Sequence, residues 1–311
     1  MKRLGAYDYI IKPLERRAAA IEPEKERRLA FPSSRRHNGA MSETRTKPVT
    51  VASLLQKKPR GRKITMLTAY DYPTARIVDE AGIDIVFVGD SVGMAELGYK
   101  STLPVTLEEM LHHVKAVRRG THRALLVADM PFLTYQIDAE SALRNAGRLI
   151  QEGEADAVKL EGGEQIAPIV RRLVDAGIPV VGHIGLQPQH VKVTGHSVQG
   201  RSEEAASQIV RDGKAMETAG AFAVVLELVP RMLAAQITEA LAIPTIGIGS
   251  GSGCDGQVLV TADLIGLQLG GHAYRHVKRY ADVAGVMTDA IRAFREEVES
   301  AAFPGPEHGV D

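Results

Sequence analysis

The sequence predicts an α/β protein built as a (β/α)8 TIM barrel, because three patterns recur along it. Short apolar runs alternate with longer amphipathic segments, which is the order of strands and helices in a parallel sheet. The helical segments repeatedly end at a glycine just before the next apolar run, as at Gly82, Gly177 and Gly220. About eight such units occur within roughly 250 residues, which is the size of a closed barrel.

The predicted strands follow from apolar runs that stop at a polar residue or a turn signal. In chain order they span residues 64–69, 85–90, 124–129, 157–161, 180–183, 224–227, 245–249 and part of 256–266. Most of these runs lack the alternation of apolar and polar residues typical of a half-exposed strand. The strands are therefore expected to be buried on both faces.

The predicted helices follow from apolar residues at helical spacing and from signals at the helix ends. In chain order they span residues 51–55, 74–81, 107–120, 141–152, 165–176, 203–219, 231–241 and 277–300. Thr106 and Glu109 form the pattern of a capping box before the third helix, and Gly120 ends it. The last segment predicts a long C-terminal helix or a pair of helices.

A doubly wound open sheet would show the same alternation of elements. Dinucleotide-binding sheets carry a Gly-x-Gly-x-x-Gly pattern after the first strand, and none follows residue 69. A weaker glycine-rich run at residues 247–251 fits a tight turn after a barrel strand or a phosphate-binding loop. The closed barrel is therefore the favoured fold.

Composition limits the class of protein. The 38 Lys and Arg residues balance 38 Asp and Glu residues, so no net charge favours binding to nucleic acid or to an anionic membrane. A single cysteine, Cys254, excludes an intramolecular disulfide framework and fits a reducing compartment. Since neither a membrane span nor a secretory signal is recognisable, a cytoplasmic protein is expected.

Two regions of the chain differ in composition. Residues 1–47 are rich in Arg, Lys and Glu with little apolar periodicity, and we predict a disordered charged extension there. Residues 48–311 are predicted to form the barrel domain. Within it, residues 185–202 form a long connection after the fifth strand, and a connection of this length is typical of a functional lid.

Ionisable residues stand at the carboxyl ends of five consecutive predicted strands. They are Asp90, Asp129, Glu161, His183 and Glu227. In a parallel barrel these strand ends together line the mouth in which active sites lie. We therefore predict the functional site at this end of the barrel.

The acidic residues among them predict a metal site. Asp90 and Asp129 follow consecutive strands, and strand alternation assigns Asp90 to the face of Val86 and Val88. Two adjacent inward carboxylates repel each other unless a cation or a proton lies between them. Because oxygen ligands favour a hard cation, Asp90, Asp129 and Glu161 are predicted to hold Mg²⁺. For either aspartate alone, a helix N-cap is the alternative.

The remaining strand-end residues have more than one interpretation. Lys159 faces the same way as Glu161 and would hold a substrate carboxylate as an ammonium or form a Schiff base as a neutral amine; the nearby carboxylates favour the ammonium. His183 is a metal ligand, a proton shuttle, a hydrogen-bond donor to substrate or a structural residue. Glu227, among apolar neighbours, is the candidate base for a carbon acid.

These roles together predict a metal-assisted enolisation. A 2-oxo acid would chelate Mg²⁺, a carboxylate would remove the proton from the adjacent carbon, and the metal would stabilise the enolate.

Several motifs occur in a fixed order from about residue 65 to the Phe303-Pro304 tail. They are Gly89-Asp90-Ser91-Val92-Gly93-Met94, Ser101-Thr102-Leu103-Pro104-Val105-Thr106, Ala128-Asp129-Met130-Pro131-Phe132, Lys159-Leu160-Glu161-Gly162-Gly163, Gly182-His183-Ile184-Gly185-Leu186, Val198-Gln199-Gly200-Arg201 and Cys254-Asp255-Gly256-Gln257. In this order they resemble the ketopantoate hydroxymethyltransferase (3-methyl-2-oxobutanoate hydroxymethyltransferase) family.

The resemblance implies a (β/α)8 barrel that assembles as a homodecamer. It implies transfer of a one-carbon unit from 5,10-methylenetetrahydrofolate to 3-methyl-2-oxobutanoate, which gives 2-dehydropantoate (ketopantoate) on the route to pantothenate and coenzyme A. It also implies that Asp90 and Asp129 bind Mg²⁺ and that Glu161 supports the metal through water.

For the substrate, the resemblance implies that Ser91 and Lys159 hold the carboxylate. His183 would contact the new hydroxymethyl group, and Glu227 would be the base at C3. The chain departs from the family pattern at Lys100, where an aspartate is usual, and at residues 194–197 of the predicted lid. Neither departure touches a metal or base position.

Three alternative functions use the same strand ends. A Mg²⁺-dependent lyase for phosphoenolpyruvate-like or 2-oxo-acid substrates would need no folate. A Schiff-base aldolase would use Lys159 and would not depend on a metal. A binding or scaffold barrel would have lost the strand-end groups, and all of them are present.

Overall fold

Eight parallel strands close into a barrel in which each strand pairs with the next and the last pairs with the first. The computed structural model describes residues 47–268 and 274–310. The strands are β1 (Ile64–Thr68), β2 (Ile85–Val88), β3 (Leu125–Asp129), β4 (Ala157–Glu161), β5 (Val180–Gly185), β6 (Ala223–Glu227), β7 (Thr245–Ile248) and β8 (Gly256–Leu259). The predicted (β/α)8 barrel is confirmed.

Helices follow the strands around the outside of the barrel. They are α1 (Val51–Leu55), α2 (Tyr72–Glu80), α3 (Val92–Ala95), α4 (Leu107–Gly120), α5 (Ala139–Gln151), α6 (Ala167–Asp175), α7 (Val191–Thr194), α8 (Glu203–Ala219), α9 (Arg231–Ala240), α10 (Thr261–Ile265) and α11 (Val283–Glu299). Short 3-10 helices lie at Glu164–Ile166, Pro188–His190 and Pro306–His308. The predicted capping box of Thr106 and Glu109 is present at the start of α4.

The prediction that the C-terminal helix begins at residue 277 is wrong. The helix begins at Val283, because the Asp282 side chain caps it by accepting the Gly285 N–H at 3.3 Å. The predicted 185–202 connection contains α7 and a 3-10 turn, and its first residue, Gly185, is the last residue of β5. The predicted disordered extension lies outside the described residues except for Lys47. In the described parts of the chain, no helix has the length and apolar character needed to cross a bilayer.

Strand alternation divides the core into two layers. Ile85, Phe87 and Val127 belong to the cluster that fills the barrel interior, whereas Val86 and Val88 belong to the cluster between the barrel and its helices. Both layers are apolar, which explains why the strands lack a visible period of two in the sequence.

The prediction that Asp90 reaches the mouth of the barrel by sharing a strand face with Val86 and Val88 is wrong. Val86 and Val88 point toward the helices, so a straight continuation of β2 would turn Asp90 away from the mouth. The strand ends at Val88, and a turn follows in which Gly93 N–H donates to the Asp90 carbonyl at 3.0 Å. Asp90 therefore enters the mouth of the barrel from a turn and not from strand alternation.

At the opposite end of the barrel, aspartates that precede one strand accept hydrogen bonds from the strand before it. Asp84 Oδ2 accepts the Thr65 N–H at 2.9 Å, and Asp156 Oδ2 accepts the Leu126 N–H at 2.8 Å. Lys57 Nζ lies 2.6 Å from Asp84 Oδ1. These carboxylates satisfy backbone groups where the strands begin, so their role is structural.

We predict that Asp84→Ala lowers the free energy of unfolding by about 2–3 kcal/mol, because the variant leaves the Thr65 N–H without its acceptor and removes the ion pair with Lys57. Urea denaturation measures this change. The control is Glu80→Ala, which removes an exposed i,i+4 pair with Arg76 and should change stability by less than about 0.5 kcal/mol. Equal losses in the two variants would contradict the structural role of Asp84.

Candidate active site

The register of the barrel brings the predicted site residues side by side. Asp129 on β3 lies opposite Lys159 on β4, and Glu161 on β4 lies opposite His183 on β5. With Asp90, these side chains are at most 4% exposed. Their charges are therefore largely removed from water and must compensate one another.

Lys159 lies at the centre of this group. Its Nζ is 2.8 Å from Asp129 Oδ1 and 3.7 Å from Glu161 Oε1. Burial alone would lower the pKa of Lys159, but the charges of Asp129, Glu161 and Asp90 raise it above its ordinary value. Lys159 is therefore an ammonium, as predicted, and this disfavours the neutral amine that Schiff-base chemistry requires.

The carboxylates are in excess over the cation. The Asp90 N–H donates to Asp129 Oδ2 at 3.1 Å. Burial, followed by the charges of Asp129 and Glu161, raises the pKa of Asp90 well above its ordinary value. Burial also raises the pKa of Asp129, although Lys159 opposes this. Burial would raise the pKa of Glu161 too, but Lys159 and His183 lower it. The group as a whole thus favours an additional positive charge.

The donor set fits a hard divalent cation. Glu161 Oε1 is buried and makes no hydrogen bond with the described residues, and Asp129 Oδ1 is buried against the Lys159 ammonium at 2.8 Å. Mg²⁺ needs only one or two carboxylates because it keeps several of its waters. In residues 47–268 and 274–310, no three His, Cys, Asp or Glu side chains are arranged as a complete metal site.

Glu227 lies across the mouth from Asp90 and contacts His183. Its Oε2 is 3.3 Å from His183 Nε2, and its side chain is 19% exposed, so substrate can reach it. On the other side of the ring, His183 Nδ1 lies 3.1 Å from Lys159 Nζ. Burial and Lys159 oppose protonation of His183, but Glu161 and Glu227 raise its pKa to about 9. His183 thus links the base candidate to the buried charges.

The backbone around Glu227 is held by its neighbours. Leu228 has φ +47°, a left-handed conformation that is costly for a residue with a side chain. The Leu228 N–H donates to the Ile248 carbonyl at 2.9 Å, and the Leu186 N–H donates to the Glu227 carbonyl at 2.8 Å. A Cβ on Gly185 would lie 2.4 Å from that carbonyl, so only glycine permits this approach.

One cavity of about 540 Å³ contains every predicted site residue. Asp90, Ser91, Asp129, Lys159, Glu161, His183 and Glu227 all line it. A volume of this size suits a small ligand together with a larger second one. The residues predicted from the sequence therefore lie together around one cavity.

Other residues of the site were not predicted as site residues from the sequence. Tyr70 binds the Ser91 hydroxyl at 2.8 Å, and the buried hydroxyl of Thr102 lines the cavity without a hydrogen-bond partner among the described residues. Lys100 and His196, which lie at the departures from the family pattern, also line it. Gln189 contacts two of the carboxylates. These contacts depend on how the loops fold over the mouth of the barrel, and the periodicity of the sequence does not predict that.

A model of the ketopantoate hydroxymethyltransferase family matches residues 48–306. The chain belongs to this family. A 3-methyl-2-oxobutanoate hydroxymethyltransferase of Thermoanaerobacter sp. (strain X514) is 56% identical over 261 residues, which cover 84% of this chain and 95% of the relative. The enzyme of the same name from Syntrophotalea carbinolica is 56% identical and covers 83% and 97%. Members of the family are hydroxymethyltransferases, so the protein is an enzyme.

A solved structure supports the fold independently of this family. The crystal structure of 2,3-dimethylmalate lyase, a member of the PEP mutase/isocitrate lyase superfamily, superposes with a TM-score of 0.54 at 18% identity. The superposition covers 85% of this chain and 89% of that one. The hydroxymethyltransferase family and this lyase therefore share the barrel architecture.

Proposed function

We propose that the protein transfers a one-carbon unit from 5,10-methylenetetrahydrofolate to 3-methyl-2-oxobutanoate. The product is 2-dehydropantoate, and the reaction serves the biosynthesis of pantothenate and coenzyme A. The observation that carries the proposal is that, in a chain of this family, Glu227 faces the same cavity as the buried group of Asp90, Asp129, Lys159 and Glu161.

The first step requires a base near C3 of the 2-oxo acid. Glu227 is the suitable group, because it is partly exposed to the cavity while His183 lies 3.3 Å from its Oε2. Glu227 would take the C3 proton, and the electron pair of that C–H bond would remain on the 2-oxo acid as an enolate. The His183 ring would keep the carboxylate of Glu227 oriented toward the substrate.

The enolate places negative charge on the 2-oxo oxygen. Asp90 and Asp129 would hold Mg²⁺, and Glu161 would support it. When bound and chelated by the 2-oxo acid, Mg²⁺ would stabilise the negative charge that develops on the 2-oxo oxygen. The buried carboxylates supply the negative environment that this cation requires.

The substrate carboxylate needs a cationic or hydroxyl partner. We assign this role to Lys159 and Ser91, which line the same cavity. Lys159 is charged because of the surrounding carboxylates, and Tyr70 orients the Ser91 hydroxyl at 2.8 Å. Lys159, as a second cation beside Mg²⁺, would offset the repulsion between the substrate carboxylate and the carboxylates of the site.

The new carbon–carbon bond joins C3 to the methylene carbon of the folate. The carbon–nitrogen bonds to that methylene break, tetrahydrofolate leaves, and water supplies the hydroxyl oxygen. His183 would donate a hydrogen bond to the new hydroxymethyl group. A Mg²⁺-dependent lyase is the second candidate, because it would use the same buried residues. Such a lyase binds no folate and would not require a cavity of about 540 Å³.

We predict that the protein forms 2-dehydropantoate from 3-methyl-2-oxobutanoate, methylenetetrahydrofolate and Mg²⁺. Glu227→Gln should lower deuterium exchange at C3 by roughly 10²–10⁴-fold, because the variant lacks the base, while the 2-oxo acid still binds. Proton NMR follows the exchange. The control is Glu239→Gln on the exposed side of α9, which should exchange normally. No product from the unaltered protein, or full exchange in Glu227→Gln, would contradict the proposal.

Metal binding should depend on pH. Because the pKa of Asp90 is raised, protons compete with the cation, so affinity falls as pH decreases through that raised pKa. We expect Mn²⁺ to raise the melting temperature more at about pH 8 than at about pH 5.5. Asp129→Asn should lose most of the increase, while the exposed helix-cap variant Asp138→Asn should keep it. A shift that is equal at both pH values would oppose a site at these carboxylates.

We also propose that the protein self-associates through α11, with a decamer as the expected assembly. Only Ala284 of this helix is buried. Val286, Ile291 and Phe294 are 65%, 64% and 57% exposed, and charges of both signs lie on the same helix, which suits contact with a second copy.

Sedimentation should therefore give a mass several times that of one chain. Ile291→Glu should reduce this mass, because it places a charge in the apolar contact. The control Glu297→Gln changes only an exposed polar position and should leave the assembly intact. A monomeric unaltered protein would refute self-association.

A further inference from the structure

Gln189 is a buried residue that no step of the proposed reaction uses. It lies in the 3-10 turn that follows β5 and is 2% exposed. Its side-chain Nε2 donates to Asp90 Oδ2 at 2.9 Å, and its backbone N–H donates to Glu161 Oε2 at 2.9 Å. One residue thus contacts two of the three carboxylates assigned to the metal.

The orientation of the Gln189 amide is fixed by its other contacts. Nε2 lies 2.9 Å from the Met130 carbonyl, which can only accept a hydrogen bond. Oε1 lies 2.8 Å from the Tyr135 hydroxyl and 3.0 Å from Gln136 Nε2, which are donors. A flipped amide would set Oε1 against the Met130 carbonyl and lose that bond, so the NH₂ group must face Met130 and therefore also Asp90.

Tyr135 extends this support to Glu161. Its hydroxyl accepts the Glu161 N–H at 3.1 Å and lies 3.0 Å from the Glu161 carbonyl. Tyr135 is fully buried. The Gln189 amide, the Tyr135 hydroxyl and the end of β4 therefore form one connected set of hydrogen bonds in which every polar atom of the amide is used.

These contacts make the two oxygens of each carboxylate different, because Gln189 binds only one of them. Gln189 engages Oδ2 of Asp90 and Oε2 of Glu161, while Glu161 Oε1 is left without a hydrogen bond from the described residues. Carboxylates fixed in this way present a constant geometry to a cation. Carboxylates free to rotate would have to be ordered each time the cation binds.

We propose that Gln189 is a positioning residue that orients Asp90 and Glu161 for the divalent cation. This inference rests on the metal site of the proposed function. Gln189 itself touches neither the cation nor the substrate. It acts by holding one oxygen of each carboxylate and leaving the other oxygen available, and it connects the start of the 185–202 segment to the site.

The test is the affinity for Mn²⁺ without any substrate, measured from the electron paramagnetic resonance signal of the free ion. Gln189→Met keeps the length of the side chain and removes both donor and acceptor. We expect Mn²⁺ to bind this variant about 10–100-fold more weakly. Gln189→Asn keeps the amide but is too short to contact both Met130 and Asp90, and it should show the same direction of change if the Met variant does not fold.

The matched control separates positioning from general loss of stability. Thr238→Val removes a buried hydrogen bond of 2.6 Å to Thr245 at the start of β7, so it should lower the melting temperature without changing the Mn²⁺ affinity. Unchanged affinity in the Gln189 variants would overturn the role of Gln189 alone. Absence of Mn²⁺ binding in the unaltered protein would instead remove the metal site of the proposed function, and this inference with it.

Discussion

The buried contact between Lys159 Nζ and Asp129 Oδ1, at 2.8 Å, is the interaction on which the rest of the site depends. A closed barrel removes strand-end charges from water, so each charge must find a partner of opposite sign. The parallel register places Asp129 opposite Lys159 and therefore supplies that partner without any loop. The same contact keeps Lys159 charged, which favours electrostatic chemistry over a Schiff base. Because Lys159 and His183 supply at most two positive charges for the four carboxyl groups of Asp90, Asp129, Glu161 and Glu227, the site favours a divalent cation.

The two ends of the barrel use carboxylates for different purposes. Where the strands begin, Asp84 and Asp156 accept backbone N–H groups and close the strand ends. Where the strands end, Asp129 Oδ1 is paired with the Lys159 ammonium, and Glu161 Oε1 has no hydrogen bond from the described residues. Unsatisfied buried oxygens are costly, and in a cavity of this size that cost is compatible with ligand binding and not with a purely structural role. The architecture therefore separates groups that stabilise the fold from groups that act on a substrate.

Much of the fold and of the site was predictable from local pattern. Alternating strands and helices determined the barrel, and Asp129, Glu161, His183 and Glu227 follow from the rule that strand ends line the mouth. Asp90 was placed correctly for the wrong reason, because the chain leaves β2 at Val88 and turns. The role of Gln189 was not predictable, since its contacts join β2, β4 and a loop through hydrogen bonds that no period in the sequence encodes. The start of α11 was misplaced because the capping side chain of Asp282 lies inside a segment that looks continuously helical.

The central claim is that the buried carboxylates hold a divalent cation that binds the 2-oxo acid. A crystal structure with Mn²⁺ and 3-methyl-2-oxobutanoate tests it most directly, because Mn²⁺ is located by its anomalous scattering. The account predicts one peak at about 2.0–2.3 Å from carboxylate oxygens of Asp90 and Asp129, with the 2-oxo acid chelating the ion and C3 facing Glu227. A substrate joined covalently to Lys159, or a cavity that holds substrate with no peak at these aspartates, would contradict it.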